Sequence, residues 1–166
     1  PASVLEFAGQ GSPGVLSFLS LSKRSGMTGY RSGAVVGDAA AISRLTALRV
    51  ATGTASPEFV QAAAIAAWSD DDHARIRRET FTAKRRVLQA TFESAGLEVV
   101  GSNAGLYVWM RVTDDVAVTA ALLDHGVVVS PGRAFGSGGE GYIRLALVPT
   151  LDECAEAGEA VVRCLT

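Results

Sequence analysis

The sequence has little of what membrane proteins and nucleic-acid-binding proteins need. Its longest apolar run, Ala62–Trp68, falls far short of the ~20 residues that a membrane-spanning helix requires. Charged residues make up only 19% of the 166 residues, and the net charge of −2 leaves no basic surplus for nucleic-acid phosphates. The first residues show no signal-peptide pattern. We therefore expect a globular protein whose partners are neither membranes nor nucleic acids.

Cysteine and histidine are also scarce, which limits disulfides and metal sites. Cys154 and Cys164 are ten residues apart, so on one continuous helix they lie about 15 Å apart along its axis. A disulfide needs Cα atoms within about 7 Å, and we expect two free thiols, as in the reducing cytoplasm. His73 and His125 have no second ligand at a metal-binding spacing, so no metal site is predicted.

Apolar runs and helical periodicity predict an α/β protein in two parts. The first part has short buried strands at 15–21 and 34–36 and helices at 39–50 and 57–68. A long amphipathic helix follows at 70–95 and ends at Gly96. The second part is a small α+β unit, with strands at 97–100, 106–112, 127–130 and 142–148 and helices at 115–125 and 151–165. We expect the domain boundary inside the long helix, between residues 75 and 76.

Two expectations concern burial. The helix at 57–68 is apolar around most of its circumference, which predicts that it is buried. In the long helix, Ile76, Phe81, Leu88 and Phe92 are expected to form the buried face. The basic clusters at 75–78 and 84–86 are expected to form a solvated face.

The Ser- and Gly-rich segment from Ser20 to Arg31 combines an amine, two hydroxyls and a guanidinium. Lys23 follows a predicted strand, with Ser20 and Ser22 just before it and Arg31 eight residues after it. A lysine amine condenses with aldehydes, and hydroxyls with an arginine are typical ligands of a phosphate monoester. These residues fit a cofactor that has both groups. A solvated loop of ordinary composition is the alternative, which composition alone favours.

This segment, SLSKRSGMTGYRSG, resembles the cofactor-binding region of class I/II (fold-type I) aminotransferases, whose pattern is S-x-S-K with an arginine eight residues later. The resemblance implies that Lys23 binds pyridoxal 5'-phosphate as a Schiff base and that Ser20, Ser22 and Arg31 hold its phosphate. It also implies the architecture. Residues 1–75 would be the C-terminal part of a large PLP-binding domain, and residues 76–166 a small α+β domain that includes the connecting helix.

A second candidate site is Arg144, a charged residue inside the apolar strand GYIRL. A buried charge needs a partner, which could be a carboxylate of the protein or of a substrate. In the resembled family, this strand follows a PG-x-x-FG segment, here Pro131–Gly136, and its arginine binds the substrate α-carboxylate. The resemblance implies that role for Arg144. Arg133, within the PG-x-x-FG segment, is expected to be a surface residue.

Further segments, among them SPEFVQAAAIAAWSDDDHA, are most similar to the succinyldiaminopimelate aminotransferase subfamily. This similarity implies a cytoplasmic homodimer that transfers an amino group between glutamate/2-oxoglutarate and N-succinyl-2-amino-6-oxopimelate in lysine and diaminopimelate biosynthesis. One alternative is another fold-type I enzyme, such as an aspartate/aromatic-type aminotransferase or a C–S lyase. A non-catalytic remnant domain is the other.

The start of the chain also bears on activity. The sequence begins at Pro1, without methionine and 22 residues before Lys23. In the resembled family, the aspartate that pairs with the pyridinium nitrogen, a tyrosine near the ring oxygen and a glycine-rich phosphate loop all precede the lysine. We therefore expect a fragment of a longer protein, inactive or nearly so by itself.

Overall fold

The computed structural model describes residues 3–53 and 55–166, which divide into two compact units. The N-terminal unit ends at Arg77 and the C-terminal unit is Arg78–Thr166. The division lies inside one long helix, α4 (Asp72–Ser94), which the sequence predicted as a single element. No helix of the described residues is both long and apolar enough to cross a bilayer.

An antiparallel hairpin organises the N-terminal unit. Its strands are β1 (Leu16–Ser20) and β2 (Gly33–Gly37), with Leu16 opposite Gly37 and Ser20 opposite Gly33. Both glycines are required by close backbone approach, because a Cβ atom at either position would collide with a carbonyl oxygen of the facing segment. The connection between the strands contains a short helix, α1 (Leu21–Arg24), and a 3-10 turn at Thr28–Tyr30.

The other helices of this unit are α2 (Ala39–Ala51), α3 (Glu58–Ser69) and the first part of α4. Asp38 caps α2, since its carboxylate accepts hydrogen bonds from the Ala41 backbone N–H at 2.8 Å and from the Gly14 N–H at 2.9 Å. These bonds, the one from Gly14 first, lower the pKa of Asp38 below its ordinary value. The cap therefore also joins the start of α2 to the segment before β1.

The predicted burial of α3 is wrong. Only Val60 of this helix is buried, while Phe59 and Ile65 are 70% and 67% exposed. The described residues of the N-terminal unit form a single two-stranded sheet, which offers too little apolar surface to cover an all-round apolar helix. Other large apolar side chains of the unit are exposed for the same reason, among them Phe18 at 74%.

The C-terminal unit is a four-stranded antiparallel sheet with helices packed on one face. The strand order is β3-β4-β6-β5, formed by Val99–Val100, Tyr107–Arg111, Tyr142–Ala146 and Ser130–Pro131. The helices are the second part of α4, α5 (Asp115–Asp124) and α6 (Leu151–Leu165).

Alternation along β4 and β6 decides which face of this sheet is the core. Val108 and Met110 of β4, with Ile143 and Leu145 of β6, are buried in one cluster with helix residues. The helix residues of the cluster include Phe81, Leu88, Phe92, Leu122 and Val161. Residues between them in sequence, such as Trp109 and Arg144, therefore lie on the opposite face of the sheet.

The expected solvated face of α4 is wrong at two positions. Lys84 and Arg85 are only 8% and 6% exposed. They lie three and four residues after Phe81, which places them on the core side of the helix. Lys84 Nζ donates to the Leu147 carbonyl at 3.4 Å, and Arg85 donates to the Gly105 carbonyl at 2.6 Å.

Helix ends and thiols agree with the sequence analysis. Gly96 has φ +72°, and the Leu97 N–H donates a hydrogen bond back to the Phe92 carbonyl at 2.9 Å. Gly96 therefore terminates α4, as predicted. Cys154 and Cys164 are both free thiols. Burial raises the pKa of the Cys154 thiol, which favours its unreactive protonated form. Ile76, by contrast, was placed on the buried face of α4 and is 55% exposed.

The packing of α5 gives a test of this core. Leu122 is fully buried and its neighbour Leu123 is 61% exposed. We expect Leu122→Ala to lower the free energy of unfolding by about 2–5 kcal/mol, because it leaves a cavity in the C-terminal core. The matched Leu123→Ala should change it by less than about 0.5 kcal/mol. Urea denaturation measures both, and equal losses would contradict this assignment of the core.

Candidate active site

The hairpin of the N-terminal unit brings Ser20, Ser22, Lys23 and Arg31 to one end of its two strands. Ser20 is the last residue of β1, and Lys23 lies on α1, directly after it. The Leu21 N–H donates to the Ser32 carbonyl at 3.1 Å, which continues the strand pairing beyond β1 and places Arg31 at the same end. Lys23 and Arg31 are both solvent-exposed. An amine, two hydroxyls and a guanidinium thus belong to one short connection.

Arg31 has an unusual backbone conformation. Its φ is +50°, in the left-handed region that non-glycine residues rarely adopt. A guanidinium N–H donates back to the Thr28 carbonyl at 3.1 Å. Such a conformation costs about 1–3 kcal/mol and is common at binding sites, where the surrounding structure maintains it. Among the described residues, only Arg31 and Ser12 are non-glycine residues with positive φ.

Arg24 fixes the helix that carries Lys23. Its guanidinium donates to the carbonyl oxygens of Ala67, at 2.6 Å, and Asp70, at 3.1 Å. It also pairs with the Asp71 carboxylate and lies 5.2 Å from the ring centroid of Trp68. These groups belong to the junction between α3 and α4, so α1 is attached to the helices of its own unit.

His73 forms a second attachment of the same segment. Its Nε2 is 2.9 Å from Ser25 Oγ, and its Nδ1 is 3.1 Å from an Asp70 carboxylate oxygen. Hydrogen bonds from His73, the backbone one first, lower the pKa of Asp70. His73 therefore has a structural contact that its sequence position did not indicate. No cluster of potential metal ligands occurs among the described residues.

Arg144 lies on the face of the C-terminal sheet that is opposite to the core. Its neighbours in the strand register are Trp109 of β4 and Ser130 of β5. Its Cζ atom is 4.2 Å from the ring centroid of Tyr107 and 4.1 Å from that of Phe135. Its Nη2 donates a long hydrogen bond, 3.5 Å, to Ser130 Oγ, and no carboxylate of the described residues pairs with it.

The other two arginines of this region do have carboxylate partners. Arg111 donates to Glu98 at 2.7 Å, and this bond raises the pKa of Arg111. Arg133 donates to Asp115 through its side-chain Nε at 3.0 Å and Nη2 at 2.7 Å. Of these three arginines, Arg144 is therefore the one that pairs with no carboxylate of the described residues.

The expectation that Arg133 is simply a surface residue is incomplete. Its side chain is 49% exposed, but its partner Asp115 is fully buried. The side-chain bonds from Arg133, followed by its backbone N–H, hold the pKa of Asp115 far below the ordinary range. Sequence reasoning missed Asp115 because its partner is 18 residues away in the chain, so no local pattern indicates the pair.

Comparison with known proteins places these features in a family. The sequence matches the family described as aminotransferase class I and II over residues 2–161. It is 40% identical over 160 residues to a 4-dedimethylamino-4-oxo-anhydrotetracycline transaminase of Streptomyces rimosus, covering 95% of this chain and 45% of that protein. It is 35% identical over 163 residues to an LL-diaminopimelate aminotransferase of Nitratidesulfovibrio vulgaris, covering 95% of this chain and 42% of that protein.

A solved aminotransferase from Neisseria meningitidis has the same fold over the matched region. The TM-score is 0.89 at 34% sequence identity, over 100% of this chain and 45% of that one. The chain therefore spans less than half the length of the relatives it matches.

The anchoring of α1 can be tested by hydrogen exchange. The Ser25 and Met27 amides both donate to the Leu21 carbonyl, at 2.8 and 3.2 Å. We expect Arg24→Ala to speed the exchange of these amides about ten-fold or more, because it removes charge-assisted hydrogen bonds. Arg86→Ala, an exposed change on α4, is the control and should leave them unaffected. Unchanged exchange in Arg24→Ala would show that α1 is held by other contacts.

The Asp115–Arg133 pair predicts a pH dependence of stability. Because the pKa of Asp115 is lower in the folded protein than in the unfolded chain, its contribution is present at neutral pH and declines as the pH falls below about 4. The wild type should therefore exceed Asp115→Asn in urea midpoint at pH 7, and the gap should narrow in acid. A gap that stays constant with pH would contradict this origin.

Proposed function

Since the chain belongs to the class I and II aminotransferase family, we propose that it is part of a transaminase in which Lys23 carries pyridoxal 5'-phosphate and Arg144 binds the substrate carboxylate. The observation that supports this proposal most is the end of the hairpin. Because β1 pairs with β2, Ser20, Ser22, Lys23 and the strained Arg31 all lie in or next to the connection between the two strands. Members of this family depend on pyridoxal phosphate and act on amino acids and 2-oxo acids.

The donor set of the hairpin fits this cofactor. The chain has two lysines, Lys23 and Lys84, and Lys84 is buried. Lys23 is therefore the lysine whose amine is accessible to an aldehyde. The hydroxyls of Ser20 and Ser22 and the guanidinium of Arg31 can bind three oxygens of a phosphate monoester with charge-assisted hydrogen bonds. The hydroxyl of Ser20, which is the N-cap residue of α1, makes no capping hydrogen bond with the helix.

The chemistry can be assigned by residue. Pyridoxal phosphate, when bound, supplies the aldehyde and the electron-accepting ring. The amine of Lys23 acts as general base toward the proton on the substrate α-carbon and later returns a proton as general acid. Arg144 holds the carboxylate in its guanidinium plane, which orients the α-carbon. The rings of Tyr107 and Phe135 at 4.2 and 4.1 Å limit the positions that the guanidinium can take.

The substrate class is a finer proposal. Relatives named LL-diaminopimelate aminotransferases favour a substrate of the diaminopimelate type. We propose that one substrate is a succinylated diaminopimelate precursor and that the other substrate pair is glutamate/2-oxoglutarate.

A homodimeric assembly and a cytoplasmic location of the whole protein stay predictions, as does the inactivity of the 166-residue chain by itself. Assay of glutamate-dependent transamination by this chain tests the last point, and robust turnover would contradict it.

Cofactor attachment has a direct test. We expect borohydride to fix pyridoxal phosphate on Lys23 and not on Lys84, as shown by peptide mapping. Removal of the cofactor's phosphate should weaken attachment about ten-fold or more, because charge-assisted hydrogen bonds are lost. Pyridoxal, which lacks the phosphate, is the comparison compound.

Arg31→Ala should abolish this preference for the phosphorylated compound. Arg44→Ala, an exposed arginine on α2, is the matched control and should retain it. Equal labelling of the unchanged chain by the two compounds would contradict the phosphate site, and labelling confined to Lys84 would contradict the assignment of Lys23.

A further inference from the structure

The buried carboxylate of Asp115 is not needed by the helix on which it lies. The N-cap of α5 is Asp114, whose side chain accepts from the Val116 and Ala117 N–H groups at 3.0 and 3.1 Å. Asp115 is instead directed at a distant segment. It accepts the backbone N–H of Arg133 at 3.0 Å as well as the side-chain bonds from the same residue.

Both the backbone and the side chain of Arg133 are therefore fixed by one carboxylate. Arg133 belongs to the 3-10 turn Gly132–Phe135, which directly follows β5. The turn is also closely packed, because a Cβ atom at Gly132 would collide with the carbonyl oxygen of Gly139. A Cβ atom at Gly132 would also lie 2.7 Å from the carbonyl oxygen of Tyr142, the first residue of β6. The turn that Asp115 holds therefore packs against the start of the strand that carries Arg144.

Phe135, the last residue of this turn, contacts Arg144. Its ring is 4.1 Å from the Arg144 Cζ atom and forms an edge contact with Trp109, with centroids 5.4 Å apart. Phe135 is 48% exposed, so burial does little to fix its position. The turn that Asp115 holds therefore helps to fix the ring, together with its contact to Trp109. Without it, both the ring and the long arginine side chain gain rotamer freedom, which carboxylate binding would have to remove.

We propose that Asp115 is a positioning residue that, through Arg133 and Phe135, holds Arg144 in the orientation that receives a carboxylate. The proposal rests on the proposed role of Arg144, and it adds a specific dependence of ligand affinity on a carboxylate that does not touch the ligand. Asp115 should affect carboxylate binding and leave the attachment of the cofactor at Lys23 unchanged.

The experiment is an NMR titration of the complete 166-residue chain with 2-oxoglutarate, followed at the Arg144 side-chain Nε–H and the Trp109 indole N–H. We expect Asp115→Asn to raise Kd about ten-fold, since two side chains lose their restraint. Phe135→Leu should have a similar effect, and Phe135→Tyr should retain the wild-type Kd because it keeps the ring. The control, Asp124→Asn at the far end of α5, should leave Kd unchanged.

The outcomes separate this proposal from the function on which it rests. If Arg144→Gln leaves Kd unchanged, the carboxylate site itself is wrong. If Arg144→Gln abolishes binding while Asp115→Asn and Phe135→Leu stay within about two-fold of the wild type, the site stands and the positioning role is overturned. Should Asp115→Asn fail to fold, the pair Phe135→Leu and Phe135→Tyr decides alone. Borohydride labelling of Lys23 in Asp115→Asn should equal that of the wild type, and its loss would show general damage instead of positioning.

Discussion

A guanidinium that folding removes from water needs acceptors, and this requirement shapes both units of the chain. Arg24 donates to carbonyl oxygens at a helix junction, and Arg133 donates to Asp115. Arg85 donates to the Gly105 carbonyl, while its buried Nε has no partner among the described residues. Arg144 is held by two aromatic rings and a long contact to a serine hydroxyl. Half-buried positive charge without an anion is unfavourable. This arrangement supports the proposal that Arg144 binds an anionic ligand.

The arginines near the candidate site residues divide into those that hold segments of the chain in place and those predicted to bind a ligand. Arg24 holds the short helix of Lys23, and Arg133 holds the turn of Phe135. In each unit, one arginine fixes a segment through its hydrogen bonds, and the arginine predicted to bind a ligand, Arg31 or Arg144, lies in the same unit. The strained φ of Arg31 fits this division, because the hairpin around it supplies the restraint.

Elements could be predicted well because local periodicity determines them. Apart from the short helix α1, which the sequence did not predict, the helices and strands fall within a few residues of their expected positions. The end of α4 at Gly96 is confirmed, and the α/β fold class is confirmed by the solved relatives. Burial was harder to predict. The apolar helix α3 is largely exposed, while Lys84 and Arg85 are buried, because burial depends on the surface that other elements offer. The roles of Lys23, Ser20, Ser22, Arg31 and Arg144 came from a spaced motif and stay predictions.

The sequence by itself determined where most of the chain turns helical or extended and which family it belongs to, and it predicted which residues form the site. These follow from side-chain periodicity and from motifs within a few residues of one another. The tertiary structure decided which positively charged side chains find a partner within the chain. Asp115 and Arg133 are 18 positions apart, and His73 and Ser25 are 48 apart. Pairs at such separations are selected by strand register and helix packing, which no local pattern encodes.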